Sequence, residues 1–125
     1  MIATEEPRLI TCYLRYFIAP DKLKEFEEYG RRWTVLIEKY GGTHLGYFMP
    51  EAPPDSVGSK HFSFPGLGAE GPTNVAIALY SFPNLDAYNA YRRMAAEDEE
   101  CKAVTAHFNE TKCFVSYERN FMRRL

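Results

Sequence analysis

The chain has 125 residues, 46% hydrophobic and 26% charged, so it is long enough to bury a core without disulfides or metals. Its formal net charge of -2 excludes the strongly basic surface that nucleic-acid-binding proteins use. The three cysteines, Cys12, Cys101 and Cys113, are an odd and scattered set, which indicates a reducing compartment. Neither a signal sequence nor an apolar run of membrane-spanning length is present, so we expect a cytoplasmic protein without a membrane span.

The first half of the chain predicts a strand, a helix and a second strand. Residues 8–17 are rich in β-branched and aromatic side chains, and their alternation places Tyr13, Arg15 and Phe17 on the face opposite Leu14 and Tyr16. A helix is expected to open at residues 20–21 and to end at the glycine pair 41–42, because apolar residues recur between them at helical spacing. Residues 43–49 predict a shorter strand.

The second half repeats this order after a long connection. Residues 50–72 are rich in proline and glycine, which predicts a loop inserted between two strands. Residues 73–82 predict a third strand, and a helix is expected from residue 85, followed by a second short helix that ends near His107. Residues 111–121 predict the last strand, in which Cys113, Val115 and Tyr117 oppose Phe114 and Met122.

The order of elements predicts an α+β fold of the ferredoxin-like βαββαβ type. A four-stranded antiparallel sheet with its helices on one face is the simplest closure of two such halves, and we expect residues 1–125 to form one domain. The strands are apolar or aromatic on both faces, but the helices cover only one face. We therefore expect a homodimer in which two sheets face each other.

Several segments, in their order along the chain, resemble the NIPSNAP family. The opening residues 13–16, 20–23 and 42–48 are similar to the first half of that domain, and residues 80–82, 91–93 and 118–122 are similar to its second half. The resemblance implies the dimeric α+β-barrel fold, which small monooxygenases, haem-degrading enzymes and lactone isomerases share. This chain departs from the family in having Tyr80 where tryptophan is frequent, and in its long 50–72 loop.

Three residues are the candidates for a functional site. Arg15 lies in the middle of a predicted strand, where a charge needs a partner or water. It either pairs with Glu118 on a neighbouring strand or anchors the carboxylate or enolate of a ligand through its rigid guanidinium fork. Tyr80 and His44, with Tyr117 nearby, either transfer a proton on a phenolic or dienol substrate or pack in the core and the dimer interface.

No other recognisable chemistry is expected from the sequence. The three histidines lack a metal-binding spacing, and no nucleophile motif or phosphate-binding glycine loop occurs, so we expect neither a metal nor a cofactor. The sequence favours a homodimer that binds a small aromatic or conjugated acid, with cofactor-independent monooxygenase or isomerase chemistry if it is an enzyme. The alternative is a non-enzymatic, homodimeric structural or interaction module.

Overall fold

A computed structural model of the chain describes residues 9–52 and 62–125. Seven elements follow one another: β1 (Ile10–Ile18), α1 (Leu23–Lys39), β2 (Thr43–Phe48), β3 (Val75–Phe82), α2 (Leu85–Ala96), α3 (Glu99–Thr111) and β4 (Phe114–Met122). The strands form one sheet in the order β2-β3-β1-β4, and each neighbouring pair is antiparallel. The predicted α+β, ferredoxin-like architecture is therefore confirmed.

Alternation along the two central strands divides the sheet into a covered and an uncovered face. On β1 and β3 every second side chain is buried, and these residues pack against α1 and α2. Phe26 of α1 and Phe82 of β3 are fully buried, and each contributes about 1.5–3 kcal/mol by leaving water. Among residues 9–52 and 62–125, no helix covers the other face, on which Tyr13 pairs with Leu79, Arg15 with Ile77, and Phe17 with Val75.

The ends of three elements differ from the sequence prediction. The helix α1 begins at Leu23, because residues 20–21 form a turn in which Asp21 has a positive φ of 60°. The helix α3 continues to Thr111, which was expected to open the last strand. It ends where Lys112 adopts the left-handed conformation with φ 51°, a stop that no glycine marks in the sequence.

The faces of β4 also differ from the prediction. The register between β1 and β4 shifts between Phe17 and Ile18, and this bulge places Phe114 on the same face as Tyr117, with ring centroids 5.8 Å apart. The prediction that these two residues lie on opposite faces is wrong. On the uncovered face, β4 presents Ser116, Glu118 and Asn120, which are polar.

The predicted 50–72 loop lies only partly within the described residues. Residues 50–52 and 62–72 contain neither helix nor strand, and residues 53–61 lie outside the described residues. In the described part, a turn near residue 66 is closed by backbone hydrogen bonds from Leu67 and Gly68 to the Phe64 carbonyl at 3.0 and 3.1 Å.

Candidate functional site

A cavity of about 300 Å³ lies between the covered face of the sheet and the three helices. All four strands and all three helices contribute to its wall, which places it at the centre of the molecule. Its most frequent lining residue is tyrosine, at positions Tyr16, Tyr29, Tyr47, Tyr80, Tyr91 and Tyr117. This volume is at the lower limit of the usual range for small-molecule sites.

Strand register and helical spacing bring these side chains together. Tyr16 of β1 stands directly beside Tyr117 of β4, with the rings stacked at 5.5 Å. On α1, Tyr29, Trp33 and Ile37 are spaced by four residues and therefore share one face of the helix. The structure places Trp33 in the cavity wall.

Two arginines in the cavity wall share one hydroxyl group. The Nη1 atoms of Arg92, on α2, and Arg119, on β4, both donate to the Tyr88 hydroxyl, at 3.4 and 3.3 Å. Within residues 9–52 and 62–125, neither guanidinium pairs with a carboxylate, and no Asp or Glu lines the cavity. The positive charge of the pair is therefore available to an anion.

Five of the six tyrosines in the cavity wall have a raised pKa and are therefore neutral hydrogen-bond donors at physiological pH. Burial raises the pKa of Tyr29 to about 12, and it raises the pKa values of Tyr16, Tyr47, Tyr80 and Tyr91 above the usual phenol value as well. A phenol with a raised pKa resists becoming a base. These groups can donate hydrogen bonds to an oxygen atom of a ligand.

His44 and Tyr80 lie together, as the sequence analysis anticipated for a joint role. Their rings stack with centroids 5.9 Å apart, and His44 also stacks on Tyr47 at 5.0 Å. A shift in register between His44 and Gly46 places the His44 ring on the covered face together with Tyr47. His44 is not itself in the cavity wall, although both rings that it contacts are.

The hydrogen bonding of His44 indicates which ring nitrogen holds the proton. The Gly46 backbone N–H donates to Nδ1 at 2.9 Å, so the proton of the neutral ring is on Nε2. Nε2 is buried and has no hydrogen-bond partner among the described residues. Burial lowers the pKa of His44 below its usual value, which keeps the ring neutral.

Arg15 lies outside the cavity, on the uncovered face. Its Nη1 atom is 3.5 Å from a carboxylate oxygen of Glu118, and its guanidinium lies over the Phe17 ring at 5.0 Å. The side chains are 35% and 60% exposed, so this is a surface ion pair. The sequence left open whether Arg15 pairs with Glu118 or anchors the anion of a ligand, and the structure shows the pair with Glu118.

Sequence analysis missed the two arginines of the cavity. Arg92 follows Tyr91, and the helical period did not distinguish which of these two residues faces the core. Arg119 is two residues from both Tyr117 and Phe121 along β4, so strand alternation places all three on one face, but the sequence does not show that the helices cover this face. In the described parts of the chain, no group of three His, Cys, Asp or Glu residues could hold a metal ion.

Comparison with known proteins places the chain in a family. The NIPSNAP family profile matches residues 62–125, which is more than half of the chain. The chain belongs to the NIPSNAP family. The comparison with curated proteins finds no match for this NIPSNAP protein. Across the parts of the chain that the structure describes, no helix is both long and apolar enough to cross a membrane.

Solved structures share the fold. A NIPSNAP family protein from Agrobacterium tumefaciens is 19% identical, with 99% of this chain and 92% of that chain covered and a TM-score of 0.68. A second protein of that organism, a NIPSNAP family protein with unknown function, is 14% identical over 98% of this chain and 94% of its own, also with a TM-score of 0.68. A candidate monooxygenase from Fusobacterium nucleatum is 11% identical over 97% of this chain and 45% of its own, with a TM-score of 0.55.

Proposed function

We propose that this NIPSNAP protein binds a small aromatic or conjugated acid in the cavity between the sheet and the helices. The observation on which the proposal rests is the pair Arg92 and Arg119, two guanidiniums in an otherwise largely aromatic wall. A carboxylate placed between them would gain charge-assisted hydrogen bonds, while a flat conjugated body would pack against the tyrosine rings. In this proposal the two arginines anchor the anion, a role expected from the sequence for Arg15.

The proposal includes cofactor-independent oxygenation or isomerisation as the chemistry of the cavity. Both reactions pass through an electron-rich form of the substrate, which neutral phenol donors and guanidiniums stabilise. An isomerisation moves a proton between two atoms of the substrate. A cofactor-independent monooxygenation uses O₂ as the co-reactant: one oxygen atom enters the substrate, the other leaves as water, and the electron-rich substrate supplies the electrons. The structurally similar protein from Fusobacterium nucleatum is described as a candidate monooxygenase, which is consistent with the oxygenation.

Tyr80 and His44 are the proposed proton-handling residues. The raised pKa of Tyr80 suits a hydrogen-bond donor to a substrate oxygen rather than a base. His44 carries its proton on Nε2, and its other nitrogen accepts from Gly46. It would therefore act as a base only after the Gly46 hydrogen bond opens, and in the described arrangement it positions Tyr80 and Tyr47 by stacking.

Isothermal titration with benzoate tests the anion site. Arg92→Gln and Arg119→Gln each remove a guanidinium, and hydrogen bonds to charged groups contribute about 1.5–3 kcal/mol, so we expect each to weaken binding by tenfold or more. Arg93→Gln is the matched control, because Arg93 lies next to Arg92 on α2 but outside the cavity wall. Benzoate binding that is absent in the wild type, or unchanged in both variants, would reject the proposal.

A homodimer formed through the uncovered sheet face is part of the proposal. Tyr13, Phe17, Ile77 and Leu79 make this face apolar at its centre, and the only charges described there are the paired Arg15 and Glu118. A second copy is therefore the partner that this face suits, whether or not the protein is an enzyme. The same face supports the alternative function, a homodimeric module without catalysis.

The proposal also covers the domain organisation of the chain and its location in the cell. We propose that residues 1–125 act as one NIPSNAP-like unit, with residues 50–72 as an inserted loop. The described cysteines Cys12, Cys101 and Cys113 are all free, which suits the reducing environment of the cytoplasm.

A further inference from the structure

Three buried or half-buried phenols form a group within the cavity wall, and the exposed Tyr117 stacks on the Tyr16 ring at the edge of this group, with centroids 5.5 Å apart. The Tyr16 ring is 5.9 Å from the Tyr29 ring and 6.2 Å from the Tyr47 ring, and all three side chains line the cavity. They come from three different elements, β1, α1 and β2, so the folded sheet and helix bring them together. We call Tyr16, Tyr29 and Tyr47 the phenol group.

The phenol group lies at a different end of the cavity from the two arginines. In the sheet, Arg119 stands beside Leu14, and Tyr16 is two residues further along β1, or about 7 Å at the usual rise of a strand. Both arginines donate to the Tyr88 hydroxyl. The Tyr88 ring packs 5.6 Å from Phe121, and Phe121 stands beside Cys12, at the end of β1 opposite Tyr16. Arg119 and Tyr16, a member of the phenol group, therefore lie at different positions along β1, two residues apart.

Burial also distinguishes the two ends. Tyr16 is only 4% exposed and Tyr29 and Tyr47 are half-buried, whereas Arg92 and Arg119 are exposed residues. The arginines therefore mark the mouth of the cavity and Tyr16 marks its depth. A ligand that enters with its anion at the mouth would place its opposite end against the phenol group.

We propose that the ligand carries, opposite its acid group, a carbonyl or phenol oxygen that accepts hydrogen bonds from Tyr16, Tyr29 and Tyr47. This inference rests on the proposed anion site and narrows it to one chemical class, the conjugated acids with an oxygen at the far end of the ring. Phenol groups that stay protonated are suited to this task, because they donate to a neutral or developing negative oxygen without taking up its charge. An apolar end of the ligand would leave these hydroxyls without that acceptor.

A matched pair of ligands tests the inference directly. 4-Hydroxybenzoate and 4-methylbenzoate have nearly the same shape, and they differ in whether the far end can accept a hydrogen bond. We expect the wild-type protein to bind 4-hydroxybenzoate about tenfold more tightly in isothermal titration, the upper end of the net value of one neutral hydrogen bond. Tyr16→Phe and Tyr47→Phe should reduce this preference to threefold or less, with little effect on 4-methylbenzoate.

Two controls make the result specific to the phenol group. Tyr13→Phe removes a hydroxyl from the uncovered face of the sheet, outside the cavity, and it should preserve the preference for 4-hydroxybenzoate. Should the buried Tyr16→Phe variant fail to fold, Tyr29→Phe provides the test, because Tyr29 is only partly buried.

A second readout uses the colour of a ligand. 4-Hydroxy-3-nitrobenzoate absorbs visible light as its phenolate, so its pKa can be measured while it is bound. Hydrogen bonds to the phenolate favour the charged form, and we therefore expect the bound pKa to be higher in Tyr47→Phe than in the wild type.

The outcomes separate this inference from the proposed function. Equal binding of the two benzoates by the wild type, with loss of both in Arg119→Gln, would overturn the inference and leave the anion site in place. Absence of binding for both benzoates would reject the anion site itself. A preference for 4-hydroxybenzoate that survives Tyr16→Phe, Tyr29→Phe and Tyr47→Phe would also overturn the inference.

Discussion

Each face of the sheet carries one arginine: Arg15 of β1 lies on the uncovered face, and Arg119 of the neighbouring strand β4 lies on the covered face. On the uncovered face, Arg15 pairs with Glu118 and lies beside Phe17. On the covered face, Arg119 follows Glu118 in the chain but points to the other side of the sheet, where its described partner is the neutral Tyr88 hydroxyl. The same residue type therefore contributes a surface ion pair on one face and an available positive charge on the other.

This comparison explains why charge alone is a poor guide to a functional residue. An arginine in mid-strand attracts attention because its burial would be costly. Whether it is paired depends on the face that it occupies, and that face depends on the register of the neighbouring strand. The four predictions below test the difference between the faces, beginning with the largest expected effect.

The first prediction compares one phenylalanine from each face. Phe82→Ala should lower the free energy of unfolding by about 3–5 kcal/mol, because its ring is fully buried between Tyr80, Tyr88 and Tyr91. Phe17→Ala on the uncovered face should cost less in the monomer, where its ring is only partly buried. Urea denaturation at low protein concentration measures both values. Equal losses at that concentration would show that the faces do not differ in packing.

The second prediction concerns assembly through the uncovered face. Ile77→Lys places a positive charge at the centre of that face, beside Arg15, and burial of unpaired charge at an interface is costly. We expect the dimer dissociation constant to rise about a hundredfold, or about 3 kcal/mol, in sedimentation equilibrium.

Val35→Lys is the control for the assembly experiment. Val35 is an exposed apolar residue on α1, away from the uncovered face, and its replacement should leave the dimer intact. A wild-type protein that remains monomeric at micromolar concentration would contradict the proposed assembly. An Ile77→Lys variant that dimerises as the wild type does would place the interface elsewhere.

The sequence was sufficient to predict most of the fold but only part of the site. Element order, the α1 stripe and the faces of β1 follow from local alternation and from breakers such as the Gly41–Gly42 pair, so they could be read directly. The faces of β4 depend on a bulge opposite Phe17, which is a property of the pairing between distant segments. The bulge explains the wrong faces of residues 113–115, whereas Arg119 was missed because the sequence does not show which face of β4 the helices cover.

His44 and Tyr80 illustrate the intermediate case. The sequence suggested a joint role, and the structure stacks their rings, because His44 and Tyr80 are register partners on adjacent strands. The sequence could not show that the Gly46 N–H occupies Nδ1, since that hydrogen bond forms within the irregular stretch where Gly46 has a φ of 132°. Which ring nitrogen of His44 carries the proton can therefore be deduced only from the folded structure.

The third prediction uses the pH dependence of stability on the covered face. Because the folded pKa of His44 lies below its unfolded value, the unfolded chain binds the proton more readily. This contribution to stability is fully present above about pH 6.5 and is lost as the pH falls through the folded pKa. His44→Phe keeps a stacking ring but cannot titrate, so its free energy of unfolding should decrease less than that of the wild type between pH 7 and pH 5. Parallel curves in urea denaturation would contradict the prediction.

The fourth prediction is the smallest and separates the two arginines most directly. Arg15→Gln breaks an ion pair whose two side chains are substantially exposed, and such pairs contribute about 0.2–1 kcal/mol. A double-mutant cycle with Glu118→Gln should therefore give a coupling energy within this range, and it should decrease as salt is added.

Benzoate affinity provides the complementary measurement for Arg15. Because Arg15 lies on the face opposite the cavity, Arg15→Gln should bind benzoate as the wild type does, whereas Arg119→Gln should bind it at least tenfold more weakly. If Arg15→Gln weakens binding tenfold and Arg119→Gln leaves it unchanged, the anion is bound on the uncovered face. The ion pair with Glu118 would then have to open when the ligand binds, and the two faces would exchange the roles that their geometry assigns to them.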